Sequence, residues 1–398
     1  MIKHDAIHWS AQDLDFDGRA GGALKALARC GRGVRIRGRE VVIEEGVELH
    51  DGVTLAGDRI HLGAGTTIRA GSDLRALELA IGPRCDVGAG SRVLVAERFR
   101  IEAAGAWGAG ADIVCRSFRA GRLLHIGDRF CVGAGGTMES TAEVLIGHRV
   151  ALGSHCVLNA NLPIALADQV GSGDHLTLWT SGFHFGHSIL DGHAAAYAPI
   201  RVERNVWLAY HVTVLPGTTI GHDTIVAAGS IVTKDLPPSC LAAGVPAVAR
   251  RRLDAVAPAP DALAATVENL LEAWVTQLVW KGWRATSRVS SSSGIRVDLG
   301  SPDGRSGAAT LLAPGAGPDE PAPGQLHVVV TVEDRPDIAP RGPTSAVLEL
   351  RSRAYRGASF DLAEDLRDFL RRRTIPCGDE HPFRSIVPAP FDRLRKMV

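Results

Sequence analysis

Between Val202 and Val248 aliphatic side chains recur at every sixth position: Val202, Leu208, Val214, Ile220, Val226 and Val232. Four residues beyond each stand Val206, Val212, Thr218, Thr224, Ser230 and Leu236, mostly small or β-branched. A period of six matches neither the helical repeat of about 3.6 nor the two-residue alternation of a strand. It predicts short strands on flat faces, with one aliphatic side chain turned inward per face and a small one at each corner. Three such hexads close one triangular turn, and the chain winds into a parallel β-helix. The spacing extends upstream through Ile43, Leu49 and Leu55, and after a one-residue slip through Leu62, Ile68 and Leu74. Ile81, Val87, Val93 and Phe99 follow. Residues 103–121 blur the period, which resumes at Ile126, Val132, Met138 and Val144, then at Ile146, Leu152 and Leu158, and again at Leu166, Ser172 and Leu178. The tripeptide GAG at 63–65, 88–90 and 133–135 falls where corners are expected. A β-sandwich would instead alternate in twos with variable turn spacing.

The repeat sets the domain boundaries. Residues 1–33 precede it and read as a cap over the open end of the solenoid, with a short helix over Gly21 to Arg32 presenting Leu24, Leu27 and Ala28. An uncovered end would expose unpaired strand edges. The solenoid is expected over 34–252. Within it, residues 179–201 (WTSGFHFGHSILDGHAAAYAPIR) abandon the hexads; a long loop in a compact repeat tends to carry function. After a short linker, residues 256–398 read as a small α+β domain. A helix is expected over Asp261 to Trp283, with Leu263, Val267, Leu270, Leu271, Trp274, Leu278 and Trp283 as its apolar stripe. Strands are expected in GIRVDL, AATLL, QLHVVVTVED and SAVLELRSRAY, a Gly/Pro/Ala-rich loop over 301–324, and a second helix over Asp361 to Arg373. The fold class is therefore mainly β: a β-helix followed by a small α+β domain, to which the sequence assigns no role.

Composition narrows the functions. Lys plus Arg and Asp plus Glu are both 44, for a formal charge of zero, which argues against a nucleic-acid binder and a cationic membrane binder. Seven scattered cysteines without a CxxC pair suit reduced thiols in a cytoplasmic protein. The polar N-terminus does not read as a signal peptide, and no run of about 18 apolar residues predicts a membrane span.

The segment NVWLAYHVTVLPGTTIGHDTIVAAGSIVTKDLPPSCLAAGVPA, from Asn205 onward, resembles the hexapeptide-repeat acyltransferases, most closely the galactoside/maltose O-acetyltransferase branch. The resemblance extends from about Ile146 to Arg252. It implies a left-handed β-helix, a homotrimer with active sites between subunits, acetyl-CoA as acyl donor and a sugar or related hydroxyl as acceptor, with no metal. It also implies a catalytic histidine shortly after a Thr in the loop before the repeat restarts. In TLWTSGFHFGHS that place falls to His184, one residue further from Thr180 than the family's pattern, which leaves His187 as the rival. Asn159, in Leu158-Asn159-Ala160-Asn161, matches the asparagine that lies beside the histidine and the acceptor. On the CoA side the resemblance implies Ala228 and Gly229 beside the pantetheine, Thr233 and Lys234 as the family's TK pair, and Arg251, with Arg250 and Arg252 next to it, near the phosphates. Val248 replaces a common Lys or Arg, and Tyr210 a common small residue.

The chemistry needs these residue types. A thioester is already activated, whereas a hydroxyl needs a general base at neutral pH, and histidine suits that task. The tetrahedral oxyanion needs a donor such as a backbone N–H of a glycine-rich corner, and CoA phosphates need cations. Bland readings stand beside these: a loop histidine is by default a surface residue, Asn159 serves equally in a structural asparagine ladder, and Lys234 as a solvated turn charge. Two other functions fit a β-helix. A γ-carbonic-anhydrase-like enzyme would bind zinc with three histidines, and His148, His155, His175, His184, His187, His193, His211 and His222 are at hand. A non-catalytic scaffold is the other. A sugar nucleotidyltransferase would need a large preceding α/β domain, for which about 33 residues leave no room.

Overall fold

The inward hexad positions are buried as their spacing requires. Leu49, Leu55, Leu62, Ile68, Leu74, Val87, Leu158, Leu178, Val202, Leu208, Val214, Ile220, Val226 and Val232 are fully buried, and the corner residues Thr218, Thr224 and Ser230 nearly so. The computed structural model describes the backbone of residues 14–17 and residues 27–133, 139–182, 186, 188–318, 320, 322–375, 377–378 and 386–388; Met138 lies outside them. The chain divides into two compact units, Met1–Asp254 and Ala255–Val398.

The first unit is a β-solenoid of parallel rungs. One face runs Leu27–Cys30, Val47–Leu49, Thr67–Ile68, Asp86–Val87, Ala106–Trp107, His125–Ile126, Ala151–Leu152, Gly171–Ser172, Trp207–Leu208, Ile225–Val226 and Cys240–Ala243. The other faces are continuous where strands are long: Asp73–Ile81 pairs with Thr54–Ala56 through its first half and with Arg59–Leu62 through its second. Thr213 stacks on Ile231, three hexads on, whereas Thr54 stacks on Asp73, one residue more. That extra residue is the slip in the spacing. Coils approach so closely that a Cβ on Gly82 would lie 1.3 Å from the Glu102 carbonyl oxygen, so only glycine fits there.

Two expectations need correction. Leu27–Cys30 is a strand in parallel register with Val47–Leu49, not part of a helix over 21–32, and Leu14–Asp17 pairs with Val34–Arg37. Strand pairing thus reaches into the stretch read as a cap. The blur at 103–121 is only apparent. Ile101, Trp107 and Ile113 are six apart and all buried. Trp107 continues the rung between Val87 and Ile126, and Phe99 stacks on Phe118 at 5.2 Å and meets Trp107 edge-on at 6.0 Å. Aromatic rings here take positions that aliphatic residues hold elsewhere.

In the second unit, helix α1 (Pro260–Trp280) and helix α2 (Asp361–Arg371) share one core with the same face of a six-stranded sheet. Its strands follow chain order: Arg284–Ser291, Gly294–Gly300, Ser306–Leu312, Leu326–Thr331, Ser345–Glu349 and Ala354–Gly357. The central three are parallel and the outer pairings antiparallel. Strand Arg284–Ser291 escaped the sequence, since every one of its residues is exposed. Ser306–Leu312 occupies part of the stretch read as a loop over 301–324. Trp283 lies beyond the end of α1 but is buried in the same core.

Burial also sets thiol chemistry. None of the seven cysteines forms a disulfide. Burial pushes the Cys85 thiol up to about 11 and the Cys115 thiol up to about 12, against an ordinary value of 9.0. The thiolate is the reactive form, so at pH 8 a maleimide will label the half-buried Cys131 before either, as peptide mapping will read. Because both folded values are raised, the stability these thiols confer is complete below pH 9 and is lost as pH climbs through about 11 to 12. Labelling of Cys85 as fast in the native as in the unfolded chain would contradict this.

Candidate active site

Leu178 stacks directly on Val214 and Leu166 on Val202, so the repeat closes as though the loop at 179–201 were absent. The loop leaves at Thr180, which is fully buried. Its backbone N–H and its hydroxyl both donate to the Asn159 carbonyl, at 3.1 and 2.7 Å, and its hydroxyl oxygen accepts from the Leu162 N–H at 3.1 Å. Beyond it Ser181–Gly182 pairs antiparallel with Ala196–Tyr197, so the loop projects on a short two-stranded stem. Ser181 donates to the Asn161 side-chain oxygen at 2.9 Å. Further out a 3₁₀ turn, Ile189–Asp191, is capped by Ser188. Ile189 and Leu190 are 75% and 92% exposed. His184 and His187 lie outside the described residues. Thr180, where the loop leaves the solenoid, is described and is held by the three hydrogen bonds given above.

Asn159 is buried at 3% exposure. The residue stacked on it is Trp179, so this rung carries no asparagine ladder. Its main-chain carbonyl, accepting twice from Thr180, holds the start of the loop.

The CoA-side residues gather at the last coils. Ala227 to Ser230 form a tight corner closed by the Ser230 N–H to the Ala227 carbonyl at 3.3 Å. Gly229 takes φ +70° there, and a Cβ on it would meet nothing within 4 Å. The corner therefore faces open space, with Ala228 exposed. Gly244 binds back to it, donating to the Ser230 hydroxyl at 3.1 Å and accepting from the Ile231 N–H at 3.1 Å. Cys240–Ala243 then pairs antiparallel with Val248–Arg252, and Arg250 Nε donates to the Ala243 carbonyl at 3.4 Å. Ala228, Gly229 and Arg250 are thus brought to one edge. Thr233 and Lys234 follow on the same coil, exposed, and Arg251 sits exposed opposite Leu241. Arg252 is turned to Asp254 at 2.8 Å. Among the described residues no hydrogen bond joins the 179–201 loop to this corner.

The histidines considered as zinc ligands are arranged otherwise. His155, His175 and His211 occupy successive rungs of one corner, all at φ near +59°. His175 stacks on His155 at 4.9 Å and on His211 at 4.5 Å, with planes within 12° and 8°, and Tyr210 meets both His175 and His211 edge-on. Ring-nitrogen lone pairs lie in the ring planes, so face-to-face rings do not converge on one ion. No cluster able to hold a metal occurs among the described residues. The signal for this column was present in the sequence: each histidine stands three residues before an inward residue, Leu158, Leu178 or Val214, just as Gly229 stands before Val232. Elsewhere His222 Nδ1 and Asn205 Nδ2 each approach the Asp223 carboxylate to 2.7 Å. The Asn205 hydrogen bond, with that of His222, holds this carboxyl below its usual range.

No family model matches the chain. Galactoside O-acetyltransferase of Escherichia coli (strain K12) is 35% identical over 121 residues, 29% of this chain and 60% of that protein. A Schizosaccharomyces pombe protein named as an acetyltransferase is 33% identical over 139 residues, 35% of this chain and 57% of that protein. The chain therefore spans less than two thirds of the length of these relatives. A hexapeptide-repeat-containing acetyltransferase of Vibrio cholerae, solved with acetyl coenzyme A, is 28% identical, with 29% of this chain and 62% of that chain covered at a TM-score of 0.26. With its parallel β-solenoid and these relatives, the chain is similar to the hexapeptide-repeat acyltransferases of the galactoside O-acetyltransferase kind.

Proposed function

We propose that this protein is a CoA-dependent acyltransferase that moves the acetyl group of acetyl-CoA to a hydroxyl of a sugar or related acceptor. The identity to galactoside O-acetyltransferase carries this reading, and the open glycine corner with exposed cations beside it agrees. A loop histidine, His184 or its rival His187, takes the proton of the acceptor hydroxyl as its oxygen attacks the thioester carbonyl. Backbone N–H groups at a corner such as Ala228–Gly229 stabilise the oxyanion. The tetrahedral intermediate collapses with loss of the CoA thiolate, and the imidazolium returns the proton to sulfur. Asn159 holds the acceptor oxygen, and a homotrimer completes each site from two subunits.

Lys234, Arg250 and Arg251 bind the CoA phosphates as charged donors, each such bond contributing about 1.5–3 kcal/mol when formed. Lys234→Ala and Arg251→Ala will therefore each raise the KM for acetyl-CoA by roughly tenfold with little change in kcat. Thiol release from acetyl-CoA, measured across a panel of sugar acceptors, tests the whole reading. The wild-type chain is expected to release CoA only when a hydroxylated acceptor is present. Failure to bind CoA at all would leave the scaffold reading in its place.

A further inference from the structure

The C-terminal unit contains a cleft of about 440 Å³ between α1 and the first three strands of its sheet. That volume falls in the range of small-molecule sites. Its walls are apolar: Leu271 and Val275 from α1 face Ile295, Val297, Ala309 and Leu311. These four sheet residues are cross-strand neighbours on one face, Ile295 opposite Leu311 and Val297 opposite Ala309. The small Ala309 leaves room beneath the helix. Val275, Ile295 and Val297 are only partly covered, so apolar surface inside a concave site stays in contact with water, which favours an apolar occupant.

The mouth is charged. Glu268 and Glu272 stand one turn apart on α1, and Arg288 reaches both from strand Arg284–Ser291, at 3.0 and 2.5 Å. Two carboxylates against one guanidinium leave a net charge of minus one at the rim. An anionic head would meet that excess negative charge, whereas a protonated amine would be attracted by it. Arg288 is 46% exposed, so it can swing aside as a ligand enters.

We infer that this cleft binds a monocationic amphiphile, an apolar alkyl or aryl body carrying one protonated amine, with the body against Val275, Ile295 and Val297 and the ammonium between Glu268 and Glu272. The site belongs to the second unit and uses none of the residues assigned to acyl transfer.

Matched probes test it. Octylammonium and octanoate share one chain and differ in head charge, and both are titrated calorimetrically into the full-length protein at pH 7, below their aggregation limits. Octylammonium is expected to bind once per chain and at least tenfold tighter than octanoate. The double substitution Glu268→Gln and Glu272→Gln leaves Arg288 alone at the mouth, and the preference is expected to reverse toward octanoate. Val297→Phe fills the cleft and is expected to abolish binding of both. Equal affinities for the two probes in the wild type, no heat from either, or binding unchanged by Val297→Phe would overturn the proposal. Should Val297→Phe fail to fold, the glutamine pair, which changes no fully buried side chain, decides alone.

Discussion

Asp365→Ala will destabilise the C-terminal unit by about 3–5 kcal/mol, the range for removing one partner of a buried ion pair, read as a fall in its denaturant midpoint. Asp365 is wholly buried in the middle of α2. Its carboxylate accepts from Lys281 Nζ at 2.5 Å, from Trp274 Nε1 at 2.9 Å and from the Ile386 N–H at 2.6 Å. Those three donors come from both ends of the unit, so the carboxylate ties α1 and the segment after α2 to a single point. The alanine leaves the ammonium of Lys281, itself 8% exposed, without its counter-charge, and leaves two N–H donors without their acceptor. Such groups cost their full desolvation. The pair itself need not stabilise. Lys281→Met combined with Asp365→Leu removes both charges and is expected to recover the part of the loss that comes from the unpaired ammonium, read as the coupling in a double-mutant cycle of these two substitutions. Arg39→Ala, at an exposed pair with Asp58, should leave the midpoint of the solenoid where it is. A cost for Asp365→Ala as small as that would mean the carboxylate is hydrated and the packing of α2 is looser than its burial implies.

The same residues show where sequence reading stops. In the solenoid one geometric rule applies at every rung, so a spacing of six was enough to name the interior; outside the 179–201 loop it was lost where Trp107 replaced an aliphatic residue and where extra corner residues shifted the count. In the C-terminal unit the inner strands were legible from their apolar runs, although the run read at SAVLELRSRAY is two antiparallel strands, Ser345–Glu349 and Ala354–Gly357. Strand Arg284–Ser291 was not legible, because an exposed edge has no burial pattern to read. The helix expected over Asp361 to Arg373 carries many charges, yet Glu364, Asp365, Arg367 and Asp368 are all buried. Their partners are of two kinds: Arg367 pairs with Glu364, and Asp368 with Arg371 and Arg372, along the helix itself, whereas Lys281 is 84 residues from Asp365. Charge patterning along one helix cannot distinguish charges that face water from charges that face each other. At the site the limit is similar. The corner at Gly229 and the anchor at Thr180 follow from local rules, whereas the placement of a histidine four or seven residues beyond that anchor depends on the path of an irregular loop.

That path makes the second large effect a matter of which histidine is struck. His184→Ala will lower kcat for acetyl transfer by about 10²–10⁴-fold, the usual contribution of a positioned general base, with the KM for acetyl-CoA nearly unchanged. His187→Ala is expected to stay within a few-fold of wild type. The pH profile separates a base from a merely structural side chain. Wild-type kcat/KM should fall as pH drops below an apparent value near ~6.5, where the imidazole becomes protonated, and that acid limb should vanish in the variant that has lost the base. Thr180→Val probes the anchor instead: it removes the hydroxyl that bridges the Asn159 carbonyl and the Leu162 N–H, so kcat should fall while the acid limb persists. Asn159→Ala keeps that main-chain carbonyl and removes only the amide, so a loss of kcat there, with the loop still anchored, would locate the acceptor oxygen. If His187→Ala proves the inactive variant, the extra residue after Thr180 has shifted the base by three positions and the corner chemistry stands. If both alanine variants keep wild-type turnover and the acid limb, no loop histidine takes the proton, and the direct-attack mechanism falls with it.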